Sequence, residues 1–184
     1  LTMPMFFGFI AISNNFVPWF FGPGYDKVVP LMQILSGLVI AIGLSNVTGI
    51  QYMLPTNQQN KLTLTVVCGA IVNFALNLFL IPMLQSIGAA IASLIAEITV
   101  TAVQFYMIRD VFSIFQIFYL ASRYFVSGII MLIIIWLIGH TVSPTIIHTF
   151  IIIGIGGILY FGLLFLFKDD MLLIAIDKIQ KKMR

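Results

Sequence analysis

The chain has 184 residues, 61% of them hydrophobic and 8% charged, with a formal net charge of +3 and a mean hydropathy of +1.13. Soluble domains are nearer half apolar and a quarter charged, so this composition excludes an ordinary water-soluble domain and predicts an all-α, polytopic membrane bundle of about six spans. The positive charge is no nucleic-acid signal, because five of the nine basic residues follow Phe167. The segments are apolar all round, so length of run locates the spans, and about 20 residues cross a bilayer core.

Residues 1–21 read as a first span, shortened at its start. The opening at Leu1, with no charged segment ahead of a short apolar run, is not that of a signal peptide and reads as the interior of a longer chain. Pro4 and Pro18 are expected to bend or stop this helix. Ser13, Asn14 and Asn15 fall at mid-depth, where they either bond to neighbouring helices or line a cavity. Gly22-Pro23-Gly24 is a turn. Residues 28–54 form an overlong second span, interrupted by Gly43, Ser45, Asn46, Thr48, Gly49 and Gln51 and closed by Pro55. Ser45, Thr48 and Gln51 share a face at three-residue spacing. Such a run marks either a broken helix lining a transport site or a tilted helix with a polar end.

Two spans joined by a tight turn at 83–85 follow. Residues 62–82 carry no charge, and residues 86–108 carry one, Glu97, at their twelfth position. Asn73 is also twelfth in its span, so the antiparallel pair places it at the depth of Glu97. An ionisable group at mid-membrane costs about 2.5 kcal/mol or more to insert, which makes it a functional candidate. Ser93, Glu97, Thr101 and Gln104 form one stripe, flanked by the small residues Gly88, Ala92 and Ala96. Gly69, Asn73 and Asn77 form a matching stripe on the partner helix. Small residues let backbones approach and polar groups bond across the contact. Glu97, Asn73, Asn77 and Gln51 are therefore candidates for transport or ion coupling, and the alternative is that they only hold helices together. Cys68 stands alone in its span and reads as packing.

Residues 111–122 are moderately amphipathic and are expected along the interface. A fifth span follows at 123–139, and a sixth opens at Pro144 and runs to Phe167. His140 and His148 are too few to hold a metal and read as structural. Gly154, Gly156 and Gly157 would permit close helix packing. Residues 168–184 form a basic interfacial tail. With that tail cytoplasmic, eight basic residues fall inside and only Lys27 outside, a positive-inside pattern. No loop has room for a nucleophile, base and orienting group, so transport is preferred to catalysis, without cofactor or metal.

The stretch VNFALNLFLIPMLQSIGAAIASLIAE (72–97) resembles bacterial polysaccharide repeat-unit flippases, the O-antigen and capsule transporters of the multidrug/oligosaccharidyl-lipid/polysaccharide exporter superfamily. FVPWFFGPGYDKVVPLMQIL (16–35) and GLSNVTGIQYMLPTNQQNK (43–61) fit the same family. The resemblance covers 1–109 well and 111–184 by hydropathy alone. It implies a two-lobed transporter of 12 to 14 spans whose cargo is an oligosaccharide on polyprenyl diphosphate, working by alternating access in the plasma membrane. Residues 1–109 would be four helices of the C-terminal lobe, 110–167 two additional helices, and 168–184 the cytoplasmic tail. The missing N-terminal lobe and membrane lipids would be partners, with room for other surface-polysaccharide assembly proteins and none for nucleic acid. Diphosphate cargo calls for basic residues in the cavity, yet no Lys or Arg lies at mid-depth, so those groups are assigned to the missing lobe. Lys61 and Arg109 would draw the head group to the cytoplasmic mouth, or merely set topology. Other readings are a multidrug or small-solute exporter of the same superfamily, and a half-size protein that acts with a partner.

Overall fold

The computed structural model describes residues 2–111, 114–167 and 169. The described elements are all helical: α1 (Thr2–Phe20), α2 (Val28–Ser45), a π-helical segment (Asn46–Met53), α3 (Gln59–Leu84), α4 (Ser86–Met107), α5 (Ile114–Thr141) and α6 (Ile146–Leu166). Five spans are long and apolar enough to cross a membrane: α2 with its π segment, α3, α4, α5 from Tyr119, and α6. The chain is a multi-pass helical membrane protein. The first helix, α1, is not among the five.

The prolines of α1 do not break it. Pro4 lies in the first turn, where a missing N–H leaves no intrahelical bond unmade. Pro18 lies in the last turn, and Phe21 N still reaches Val17 O at 3.0 Å. The turn that follows needs positive φ, which Gly22 (+83°) and Gly24 (+92°) supply. The overlong second span is not broken either. Beyond Ser45 it widens into π turns, with Leu54 N bonded to Gly49 O at 3.0 Å, so the chain reaches Met53 without leaving the helix.

The turn expected at 83–85 shrinks to one residue. α3 continues through Pro82 to Leu84, and only Gln85 (φ +53°) separates it from α4. The α5 helix runs unbroken from Ile114, so residues 114–122, expected along the interface, extend the fifth span by its own helix. The Thr145 side chain caps α6 by accepting from His148 N. The tail expected at 168–184 lies outside the described residues, save Asp169, whose carboxylate accepts from the Tyr124 hydroxyl at 2.7 Å.

Packing sorts the helices into two groups. α4 lies between α3 and α2, and α1 packs with α5 and α6. Phe7 and Ala11 of α1, Met131 and Ile135 of α5, and Ile152, Tyr160 and Leu164 of α6 form one buried cluster. The groups join where α1 meets α2. The first helix thus has α2, α5 and α6 as neighbours, which shelters Ser13 and Asn15 from lipid. Of the four α6 glycines, only Gly156 sits in a close contact, where a Cβ would lie 2.5 Å from Ile135 Cδ1. Gly154 and Gly157 face open space.

Candidate functional site

At the midpoint of α4, Glu97 turns towards α2. Its Oε1 accepts from the Ser45 hydroxyl at 2.8 Å. Ser45 is the last residue before the helix widens, and its hydroxyl also lies 3.2 Å from the Ile42 carbonyl. One turn on, the Thr101 hydroxyl reaches both the Glu97 carbonyl (2.9 Å) and, across the helix contact, the Ala41 carbonyl (3.1 Å). The α2–α4 seam is therefore polar over two turns, in a protein whose other interhelical surfaces are mostly apolar.

The stripe ends on Gln104, 2% exposed and the most heavily tied polar group of the seam. Thr48 of the π segment donates its hydroxyl to Gln104 Oε1. Gln104 Nε2 donates to Thr65 Oγ1 of α3 at 3.3 Å, and the Thr65 hydroxyl donates back to Leu62 O at 2.7 Å. One amide thus bonds the π segment and α3 to α4. Gly49 makes room for it, since a Cβ there would lie 2.9 Å from Gln104 Nε2 and 2.8 Å from Leu62 Cδ1. Sequence reasoning placed Gln104 on the stripe but missed this role. The available signal was the seven-residue step from Glu97, which returns to the same helix face.

The asparagines do not join Glu97. Asn77 Nδ2 donates to Asn73 Oδ1 at 2.8 Å within α3, one turn apart. Asn77 Oδ1 is buried with no hydrogen-bond partner. The small-residue contact does form: a Cβ on Gly69 would meet Val100 Cγ2 at 2.3 Å, and one on Gly88 would meet Leu80 O at 2.2 Å. α4 thus presents its small residues to α3 and Glu97 to α2, two different faces. Matching depth puts Asn73 and Glu97 on one level without contact.

Gln51 is exposed, unlike Ser45 and Thr48, which bond into the seam. A π turn rotates less per residue than an α turn, so three-residue spacing no longer returns to one face. Lys61 and Arg109 are exposed at the same end of the bundle. Lys61 Nζ donates to Gln58 Oε1 at 2.9 Å, and the Arg109 guanidinium lies 4.8 Å from the Tyr106 ring centroid. Both cations stay at the helix ends, where they can reach an anionic group in the interface.

At the opposite end, α1 ties the two helix groups. Gln33 Nε2 of α2 donates to Ser13 Oγ at 3.0 Å, Asn15 Nδ2 donates to Gly139 O of α5 at 3.4 Å, and Trp19 Nε1 donates to Thr149 Oγ1 of α6 at 2.7 Å. His148 Nδ1 lies 2.9 Å from Ser143 O, and His140 packs edge-on against Trp136. No group of three or more potential metal ligands occurs among the described residues.

Comparison with known proteins returns one informative relative. The chain is 36% identical over 89 residues to a curated Escherichia coli (strain K12) protein named as a candidate O-antigen transporter. The match takes in 48% of this chain and 21% of the relative, so it spans about a fifth of the relative's length. No protein-family model matches. No solved structure matches either.

Proposed function

We propose that this chain is part of a transporter that carries a polyprenyl-diphosphate-linked oligosaccharide repeat unit across the bacterial plasma membrane for surface polysaccharide assembly. The 36% identity to a protein named for O-antigen transport carries this reading. The seam supports transport over catalysis: an ionisable group at mid-helix, bonded to a neighbouring helix where that helix changes its turn, can couple a bound proton to helix arrangement. Asn73, Asn77 and Gln51 are assigned to the cargo path, and Lys61 and Arg109 to the cytoplasmic mouth. Residues 1–109 belong to a C-terminal lobe in this scheme, residues 110–167 are two added helices, and the tail lies in the cytoplasm. The N-terminal lobe supplies the cavity cations.

The coupling step uses one hydroxyl proton. With Glu97 ionised, Ser45 donates to the carboxylate. With Glu97 protonated, the acid O–H donates to Ser45 Oγ, and the Ser45 proton turns to the Ile42 carbonyl, which is within reach at 3.2 Å. Each state keeps the Ser45 hydroxyl and Glu97 Oε1 hydrogen-bonded, so protonation exchanges one bonding pattern for another at the junction of α2 and the π segment.

The test is complementation. The whole reading frame containing this chain is expressed in a bacterium lacking its own repeat-unit flippase. Restored surface polysaccharide, with loss of accumulated lipid-linked repeat units, is the expected result. Continued accumulation, alongside export of unrelated small solutes, would overturn the assignment.

A further inference from the structure

α2 and α5 both pack on α1 and have no comparable contact with each other. Between them is a groove of about 260 Å³, floored by Ile10 and Asn14 of α1 and walled by Gln33 of α2 and Leu132, Ile133 and Trp136 of α5. We infer that this groove binds one neutral sugar ring, with the Trp136 indole on its apolar face and the Asn14 and Gln33 amides on its hydroxyls. The inference deepens the transport reading by naming a sugar subsite, but it stands or falls on binding alone.

Three observations carry it. First, the three polar residues are level. Asn14 is six residues from the end of α1, Gln33 five from the start of α2, and Trp136 five from the end of α5. At 1.5 Å per residue each lies about 8–9 Å inside the same end of the bundle. Second, the amides are available. Asn14 is exposed and has no hydrogen-bond partner among the described residues. Gln33 uses Nε2 to reach Ser13, which is fully buried and fixes it, and its Oε1 is left to accept. An amide presented to acyl chains at that depth loses its water without replacement, at about 1–3 kcal/mol by mutational measures. A lipid chain is therefore a poor occupant. Third, the chemistry is selective. No charged side chain lines the groove, which disfavours phosphate or carboxylate. Amides both donate and accept, as sugar hydroxyls do, and a half-exposed indole offers a flat apolar wall. The edge-on contact with His140, at 4.5 Å between centroids, holds that wall in place.

The test uses the full-length protein that contains this chain, in phosphatidylcholine nanodiscs and labelled with 5-fluorotryptophan, with the Trp136 resonance assigned from Trp136→Phe. Neutral methyl glycosides of hexoses and N-acetylhexosamines are titrated in. The expected result is a saturable shift of the Trp136 resonance, half-complete in the millimolar range. Asn14→Leu and Gln33→Leu should each raise that midpoint about tenfold, while Asn14→Gln restores it and thermal unfolding stays in place. Lipids carrying a nitroxide along the acyl chain are added separately. Paramagnetic broadening of Trp136 by nitroxide lipid without any sugar response would show a lipid-facing groove and overturn the inference. Indifference to both probes would show a groove filled by protein and overturn it equally. Sugar binding in a protein that fails complementation would leave the subsite standing and remove only the transport reading.

Discussion

Ser45 Oγ lies 2.8 Å from Glu97 Oε1 and 3.2 Å from the Ile42 carbonyl, so one hydroxyl proton has two acceptors, one on α4 and one on its own helix. Glutamine at position 97 keeps an oxygen for Ser45 and removes only the titration. In the full-length protein, Glu97→Gln is expected to fold normally and lose the proton dependence of transport. Glu97→Leu should also lose thermal stability, by about 1 kcal/mol. Unchanged proton dependence in Glu97→Gln, read by flipping assays across a pH gradient, would sink the coupling role.

Gln104 ties the π segment and α3 to α4. Gln104→Leu removes two interhelical bonds, but Thr48 and Thr65 still bond to carbonyls of their own helices. The expected cost is therefore modest, about 1–2 kcal/mol of unfolding free energy in mixed micelles. A double-mutant cycle with Thr48→Val should show coupling of about 1 kcal/mol. Additivity of the two changes would mean the bond contributes nothing net.

Glycine contacts separate two kinds of α-helical glycine. A Cβ on Gly88 meets the Leu80 carbonyl, backbone that cannot swing aside, whereas one on Gly154 meets nothing within 4 Å. Gly88→Ala is expected to destabilise by about 1–3 kcal/mol. Gly154→Ala should leave the unfolding midpoint unchanged or raise it slightly, through helix propensity. Equal effects at the two sites would contradict the close α3–α4 approach.

Gln85 makes the whole connection between α3 and α4 at φ +53° and ψ −126°. A side chain is strained there and glycine is not. Gln85→Gly should stabilise the hairpin by about 1 kcal/mol, seen as slower unfolding in denaturant. A loss of stability would mean the Gln85 side chain holds a contact worth more than the strain.

The spans were legible in the sequence, because a long uncharged run has little alternative to a membrane helix and its length sets the crossing. The Gly-Pro-Gly turn, the small-residue contact of Gly69 and Gly88, and the polar stripe through Glu97 and Gln104 were legible too, since each depends on local spacing. Partner choice was not. Periodicity says which residues of α4 share a face, but only packing decides that the Glu97 face meets α2 while the small-residue face meets α3. The π turns were hidden as well. Within them Gly49 yields space to Gln104, a residue 55 positions away, and they turn Gln51 away from a stripe that α-helical spacing would have given it. The groove over Asn14 exists because, among the described residues, α2 and α5 both pack on α1 with no comparable contact between them, a relation between distant segments that no local pattern encodes. For this protein the sequence by itself determined where the chain is helical and which groups are costly to bury. Tertiary structure alone decided which of those groups meet, because helix-to-helix contacts in a membrane are set by shape and by hydrogen bonds across the interface, while hydrophobicity is nearly the same on every side.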